Sequence, residues 1–307
     1  MQAGQFDEAV QLLEQAYREA PQNSEIATDL LLGYVQSGRL PQAISFGTEA
    51  VRKWPNNPDL HHYLGLAQFK TGENSAAGDH LRQAEKLAPA DKSVHFDLGL
   101  VMLASQNYPA AAQQLETVVR LDKSNALAHL LLGRAYQNTN RSLPAIEEFR
   151  TALRLNPDVP LGHYNLGFGY ASLGNNREAI AEYQVEVQRT PDNPEVRYQL
   201  GRLLLDTGDT SGAAAELQRA TALDPNNAEA FYQLGKAMVL AGNTEAAEHA
   251  LQRAIELNPN DPGPHYQLAR CLQKVGKTEQ ARSEMQKFAD LKKLEPQSGG
   301  MATGRIH

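Results

Sequence analysis

The chain has 307 residues, of which 41% are hydrophobic and 7% aromatic, with a formal net charge of −7 at pH 7 and a pI near 5.7. This acidic balance argues against a general binder of nucleic acids or of anionic membrane surfaces. No apolar run approaches the ~18 residues that a membrane span needs, so we expect no membrane insertion.

A pattern of 34 residues recurs along the chain, and residues 228–261 show it most clearly. Apolar residues recur at helical spacing on both sides of Gly242 and Asn243, so each unit is predicted to be a helix, a turn and a second helix. With Ala228 as position 1, position 7 is always Leu: Leu30, Leu64, Leu98, Leu132, Leu166, Leu200, Leu234 and Leu268. Position 20 is always Ala: Ala43, Ala77, Ala111, Ala145, Ala179, Ala213, Ala247 and Ala281.

Position 8 is small in nearly every unit, and Pro often ends a unit at position 32, as Pro225 and Pro259 do. The pattern resembles the tetratricopeptide repeat family, a 34-residue helical hairpin with small residues at positions 8 and 20 and Pro at 32. The family's Trp at position 4 is absent here. The resemblance implies an all-α fold, a right-handed α-solenoid of stacked helix-turn-helix repeats with a concave groove that holds protein partners.

The chain begins within a unit, because residues 1–23 align with positions 12 to 34 and supply a second helix only. Its apolar face, which includes Leu12, lacks a partner helix, so we expect this half-repeat to fray or to self-associate. Residues 24–295 are predicted to form eight repeats in one solenoid. Residues 296–307 have no periodicity and contain two adjacent glycines, so we expect a flexible tail.

Some repeats depart from the pattern. One has the bulky Leu31 at position 8 and Gly47 at position 24, where an apolar side chain is usual. Two others have Gln106 and Asn140 in place of the turn glycine. Asn tolerates the left-handed backbone conformation and Gln tolerates it less well, so we expect the turn at Gln106 to differ.

The helical period orients the first helix of each repeat. Positions 2, 5, 6, 9, 12 and 13 fall within one ~120° sector, here called the free face, while positions 4, 7, 8 and 11 lie opposite. The invariant Leu at position 7 identifies that opposite side as the packed one. His62, at position 5, is predicted to lie on the free face. The packed position 4 is histidine in five repeats: His61, His95, His129, His163 and His265.

These five histidines are interpreted as structural. They lie one helix layer, roughly 8 to 10 Å, apart, which is too far for two imidazoles to share a metal ion. Cys271 falls at a small packed position and is interpreted in the same way. Gly167 and Gly169 lie within a helix and Gly276 lies in a turn between helices, so neither marks a nucleotide loop. We therefore expect no catalytic site, no metal and no cofactor.

In the last four repeats, the free face shows three rows of similar side chains that form the candidate peptide-binding groove. Position 5 carries Tyr164, Tyr198, Tyr232 and Tyr266, position 6 carries Asn165, Gln199, Gln233 and Gln267, and position 9 carries Phe168, Arg202, Lys236 and Arg270. Amides can both donate to and accept from a peptide backbone, and cations favour acidic side chains. The predicted ligand is an extended peptide with acidic residues.

In the N-terminal half, the free face is predicted to be apolar, which usually marks a partner site. The residues that make it so are Leu66, Phe96, Leu100, Leu127 and Leu130. We predict a non-catalytic scaffold that binds an extended or helical protein segment. The alternative is the substrate-recognition arm of a larger enzyme such as a glycosyltransferase, which the start within a unit favours. Only Asn165 matches the Asn row by which the repeat arm of protein O-linked N-acetylglucosamine transferases grips substrate backbones, and the three Gln are longer analogues. Nothing in the sequence identifies a cellular compartment.

Overall fold

The computed structural model describes residues 2–294, with side chains from residue 7 onward. Within that range the chain forms seventeen helices and no strand. The helices are α1 (Gln2–Glu19), α2 (Ser24–Gln36), α3 (Leu40–Lys53), α4 (Pro58–Lys70), α5 (Asn74–Leu87), α6 (Lys92–Ala104), α7 (Tyr108–Leu121), α8 (Ala126–Asn138), α9 (Ser142–Leu155), α10 (Gly162–Ser172), α11 (Asn176–Arg189), α12 (Pro194–Asp206), α13 (Thr210–Leu223), α14 (Ala228–Leu240), α15 (Thr244–Leu257), α16 (Pro262–Lys274) and α17 (Thr278–Leu294). The predicted tail at residues 296–307 lies outside the described residues.

Backbone contacts divide the chain into two compact units, Met1–Asn165 and Leu166–His307. In the first unit, each helix from α1 to α9 packs on the next one in sequence, and α2, α4 and α6 also touch across repeats. The second unit repeats this arrangement from α11 to α17, with α12, α14 and α16 in contact. Each unit is therefore an all-α solenoid of helix-turn-helix repeats.

Within a repeat, the two helices approach closely where position 8 faces position 24. A Cβ atom added to Gly133 would lie only 2.4 Å from a ring carbon of Phe149, so no larger residue fits without movement. The same pairing recurs at Gly65–Leu81, Gly99–Leu115, Gly167–Tyr183, Gly201–Leu217 and Gly235–Leu251. Small residues at position 8 are thus required by the crossing of the helices.

The repeat with Leu31 reverses this contact. Leu31 is fully buried, and a Cβ atom on Gly47 would lie 3.2 Å from its Cδ1 atom and 3.0 Å from Leu64 Cδ1. The large side chain comes from the first helix and the space for it from the second. The two departures from the pattern therefore compensate each other.

Position 34 supplies the N-cap of the following first helix. The Asn57 side chain, for example, accepts hydrogen bonds from the backbone N–H groups of Asp59 and Leu60 at 3.0 and 3.2 Å. The equivalent caps are Asn23, Asp91, Asn125, Asn193, Asn227 and Asp261. Val159 has no side-chain acceptor, and α10 begins only at Gly162. That helix has 11 residues, whereas the first helices with a cap have 13.

The turns between paired helices share one conformation. Gly72 and five other glycines have positive φ there, and Gln106 (φ 57°) and Asn140 (φ 60°) adopt the same left-handed backbone. The predicted difference at Gln106 is therefore wrong. The backbone N–H of Asn107 donates to Met102 O at 2.8 Å, as Asn243 does to Met238 O at 3.0 Å, and this shared closing bond holds the turn whatever its residue.

Helix α1, which is the second helix of the N-terminal half-repeat, packs on α2. Val10 is fully buried, and Leu13 and Tyr17 are partly buried against the core of the first unit. Leu12 points away from that core and is 62% exposed. One side of α1 is therefore packed and the other is open.

Candidate functional site

Burial confirms the predicted orientation of the first helices. The position-4 residues His61, His95, His129 and His265 are 3–9% exposed, and Arg197, which occupies the same position, is 4% exposed. His163 and Phe231, also at position 4, are half-buried. The free-face positions of the same helices hold most of the exposed and half-buried side chains. The candidate site is therefore the free face, and position 4 belongs to the packing between helices.

The polar position-4 side chains His129 and Arg197 each connect two parts of the repeat stack. His129 Nε2 lies 3.3 Å from the carbonyl oxygen of Lys123 in the preceding loop, and its Nδ1 lies 2.6 Å from a carboxylate oxygen of Glu148 on the second helix. Arg197 makes the same two contacts, donating to Pro191 O at 2.7 Å and to Glu216 at 2.6 Å. Because both targets are acceptors, the position suits a side chain with two donors. These residues join one repeat to the next.

One repeat carries a different partner at this point. His61 Nε2 lies 3.0 Å from Pro55 O, while its Nδ1 lies 3.1 Å from Nδ1 of His80. Burial, and then the nearby His61, lower the pKa of His80, and Asp79 opposes this. Two imidazoles can share this contact only while one nitrogen donates and the other accepts. The pair is therefore sensitive to a second proton.

On the free face of the second unit, the side chains at positions 2, 6 and 9 form hydrogen-bonded chains. The Gln199 amide donates to Glu195 at 2.8 Å and accepts from Arg202 at 3.0 Å. In the next repeat, Gln233 donates to Glu229 at 2.6 Å and accepts from Lys236 at 2.9 Å. Both amides are thus paired within the protein, and Gln233 is only 8% exposed. These amides therefore link a cation to a carboxylate within their own helix.

The tyrosines at position 5 lie beside these chains. Burial, and then the charge of Glu229, raise the pKa of Tyr198 to about 12, so its hydroxyl stays protonated and can donate a hydrogen bond. Lys236 Nζ lies 5.6 Å from the ring centroid of Tyr232, and Arg270 Cζ lies 5.7 Å from that of Tyr266. Each ring therefore sits within cation–π range of its neighbouring cation.

The last repeat lacks the carboxylate at position 2. Gly263 stands there, and a Cβ atom on it would lie 2.9 Å from the hydroxyl oxygen of Tyr232, so that ring covers the position. Within the described residues, Arg270 is exposed and touches the Tyr266 ring but forms no ion pair. Tyr266 is itself 37% exposed. Arg270 is therefore the cation of the row that is best placed to meet a ligand.

The remaining candidates of this group are divided between the two units. Tyr164 and Asn165 belong to the first unit and Phe168 to the second, and all three are half-buried. The Asn165 side-chain nitrogen donates to Leu161 O at 2.7 Å, so this amide is also paired within the protein. The residues brought together in the second unit are Tyr198, Gln199, Arg202, Tyr232, Gln233, Lys236, Tyr266, Gln267 and Arg270.

The free face of the first unit is only partly as expected. Leu66, Phe96 and Leu100 are half-buried and Leu127 is 44% exposed. Leu130 is only 4% exposed, so the expectation of an exposed side chain there is corrected: the neighbouring helices cover it. Four of the five predicted apolar side chains therefore remain accessible.

His62 also differs from its prediction. It is only 6% exposed, because its Nε2 lies 2.7 Å from Asp97 Oδ2 in the next repeat and its ring stacks on Tyr63. Positions 5 and 6 of successive repeats therefore contact each other. The helical period of a single repeat could not reveal this contact, because it joins two repeats.

Sequence features that resemble reactive sites have ordinary packing roles. Cys271 is 2% exposed, lies 3.3 Å from Thr244 O, and has a pKa raised by burial, which disfavours the thiolate. Gly276 has φ of 76° at the turn between α16 and α17.

The described residues contain no group of three His, Cys, Asp or Glu side chains that could hold a metal ion. No described helix is long and apolar enough to cross a membrane.

Two family models described as tetratricopeptide repeat match the sequence. One covers residues 1–46, 170–236, 204–262 and 238–289, and the other covers residues 28–92, 62–126, 96–143 and 130–194. Together the matches extend over nearly the whole chain. Among curated proteins, no sequence matches this one.

Solved structures of repeat proteins resemble the fold. The crystal structure of YrrB, described as a TPR protein with an unusual peptide-binding site, has a TM-score of 0.52 and 24% identity, covering 61% of this chain and 96% of YrrB. A tetratricopeptide repeat protein from Parabacteroides merdae has a TM-score of 0.59 and 17% identity, covering 81% and 98%. A structure of the APC/C Cut9–Hcn1 hetero-tetramer has a TM-score of 0.60 and 16% identity, covering 87% of this chain and 53% of that one. At these identities, the likeness concerns the fold.

Proposed function

Because the chain belongs to the tetratricopeptide repeat family, we propose that it is a non-catalytic interaction scaffold whose second unit binds an extended, acidic peptide on its free face. The observation that carries this proposal is the exposed Arg270, which rests against Tyr266 and has no carboxylate partner among the described residues. Arg202 and Lys236 continue the row in the two preceding repeats. A neighbour of the same fold, YrrB, is described as having a peptide-binding site.

The three cations are not equivalent. Arg202 and Lys236 are each linked through a glutamine to a glutamate of their own helix, which offsets part of their charge. Arg270 has no such link, and the exposed Lys274 lies one helical turn further along the same helix. We therefore expect the acidic end of the peptide to bind near Arg270. The tyrosines of the preceding repeats provide apolar contacts and hydroxyl groups for the rest of the peptide.

The spacing of the repeats suits an extended chain. Successive helix layers lie about 8 to 10 Å apart, and a polyproline II segment rises about 3.1 Å per residue with three residues per turn. Every third side chain of such a segment could then face one cation. Exposed ion pairs contribute only about 0 to 1 kcal/mol each, so the aromatic contacts must supply most of a micromolar affinity, about −8 kcal/mol.

The test compares two triple variants of the full chain. Arg202→Ser/Lys236→Ser/Arg270→Ser removes the cations of the free face, and the control removes three cations from second helices, Arg219→Ser/Arg253→Ser/Arg282→Ser. The probe is a labelled peptide with Glu at every third position and Tyr or Leu between. We expect the first variant to bind more weakly and with less salt dependence, and Arg270→Ser alone to cause most of the loss. Equal losses in both triple variants would refute the proposed site.

A further inference from the structure

The first three full repeats, residues 24–125, present an apolar row on their free face. Position 9 is leucine in each of them, at Leu32, Leu66 and Leu100, and all three side chains are only half-buried. Phe69 and Leu103, at position 12, are half-buried as well. In the last three repeats the same position carries the cations Arg202, Lys236 and Arg270. The first three and the last three repeats therefore differ in the chemistry of equivalent positions.

Acidic side chains flank this apolar row. Positions 2 and 6 of the three repeats carry Glu25, Asp29, Asp59 and Asp97, and positions 2, 5, 6 and 9 contain no Lys or Arg. Lys70 stands at the edge, at position 13. His62 Nε2 lies 2.7 Å from a carboxylate oxygen of Asp97, so Asp97 already has a partner within the protein. The other three carboxylates are the ones that a ligand could meet. Glu25, Asp29 and Asp59 are exposed, and none of them takes part in a salt bridge within the described residues.

Tyr63 lies within the electrostatic influence of these carboxylates. It is half-buried at position 6 between the repeats, and its pKa is raised by burial and then by the charges of Asp59, Asp91 and Asp29. These three carboxylates come from consecutive repeats and the loops between them. The carboxylates of Asp29 and Asp59 therefore lie on the same helix face as the leucines.

From these contacts we infer that the free face of residues 24–125 docks a cationic, amphipathic segment of a partner protein, with large apolar side chains against the leucines and Lys or Arg against Asp29 and Asp59. An exposed apolar surface with charged edges is typical of a protein interface. Charge complementarity favours a positively charged partner, because an acidic segment would be repelled by the exposed carboxylates. The inference is independent of the proposed acidic-peptide site, which uses other residues and a probe of opposite charge.

The test uses three labelled peptides on the full chain. The first has Leu and Lys at amphipathic helical spacing, the second replaces each Lys with Glu, and the third replaces each Leu with Ser. We expect the first to bind, and its photo-crosslinks to map to α2, α4 and α6. Loss of the leucines should abolish most of the binding, because the apolar contacts supply most of the affinity.

A charge variant then separates specific docking from general attraction to an acidic protein. Asp29→Asn/Asp59→Asn should weaken binding of the Lys peptide about three- to tenfold at low salt, since each removes one ion pair. The control Glu49→Gln/Glu147→Gln removes two exposed charges from second helices and should leave the affinity unchanged. Equal affinity for wild type and Asp29→Asn/Asp59→Asn, an equal loss in the control, or crosslinks on α3, α5 and α7 would overturn the inference.

Discussion

The Nδ1 atoms of His61 and His80 lie 3.1 Å apart, at the contact where His129 and His265 face a glutamate. His61 Nε2 faces the Pro55 carbonyl and must donate to it, so a neutral His61 can only accept at Nδ1, and His80 is then the donor. The same structural position therefore has a different partner in different repeats. A glutamate accepts a hydrogen bond from the ring in those repeats, whereas two protonated rings at His61 and His80 would leave no acceptor between them.

The first prediction concerns pH. Because burial and His61 lower the pKa of His80, the unfolded chain takes up a proton near about pH 6.5 and the folded chain does so only below that. Stability from this contact is therefore present above about pH 6.5 and falls as the pH decreases. His80→Gln installs the residue found at the same point of the next repeat, Gln114, and should reduce the loss.

Hydrogen exchange of α4 and α5 at about pH 7.5 and about pH 5.5 measures this effect directly. The control is His249→Gln, which alters an exposed histidine on α15. Wild-type protein should lose protection in these helices at the lower pH, and His80→Gln should lose less. An identical loss in wild type and His80→Gln would contradict the role given to this pair.

The second prediction concerns the buried pair Arg197–Glu216. Arg197→Leu leaves Glu216 and the Pro191 carbonyl without their donor, and breaking such a pair costs about 3 kcal/mol. Arg197→His should recover part of this, because histidine fills the same position in other repeats. Urea denaturation followed by circular dichroism compares the three proteins. A Leu variant as stable as wild type would show that the bridge between repeats adds no stability.

The third prediction concerns the helix crossing. Gly133→Ala places a Cβ atom 2.4 Å from the buried Phe149 ring, and overpacking of this kind costs about 1 to 3 kcal/mol. Gly78→Ala is the matched control, because its Cβ atom would meet nothing closer than 3.4 Å. Replacing a helical glycine with alanine without a clash should stabilise by about 0.5 to 1 kcal/mol. Thermal melts that moved in the same direction for both variants would contradict the proposed contact.

The fourth prediction concerns the turn at Gln106. Its φ of 57° is strained for a residue with a Cβ atom, so Gln106→Gly should stabilise the first unit by about 1 kcal/mol. Asn140→Gly should gain less, because asparagine tolerates this conformation better. Chemical denaturation midpoints compare the two variants. A larger gain at Asn140 than at Gln106 would argue against backbone strain as the cause.

Much of the fold follows from the sequence because one spacing sets the helices, their crossing and their orientation. The period alone places Leu at position 7 and histidine at position 4 on the packed side, and burial agrees. The swap of the large and the small residue between Leu31 and Gly47 could also have been predicted, since both departures from the pattern occur in one repeat. The late start of α10 had a signal too: Val159 stands where the other described first helices have an Asn or Asp cap.

Contacts between repeats were harder to predict. A helical period describes one helix, so it does not show that His62 reaches Asp97 or that neighbouring helices cover Leu130. Nor does a row of identical residues show how each is paired: Gln199 and Gln233 are already bonded to a glutamate and a cation. The rows were visible in the sequence, while the difference between Arg270 and the other two cations required the structure.

Photo-crosslinking of the labelled acidic peptide to the full chain tests the central claim most directly. We expect the crosslinks to fall on α14 and α16, around Tyr232, Lys236, Tyr266 and Arg270, and their yield to fall several-fold in Arg270→Ser at low salt. Crosslinks that map to the second helices α13 and α15 instead, and that persist in Arg270→Ser, would contradict it.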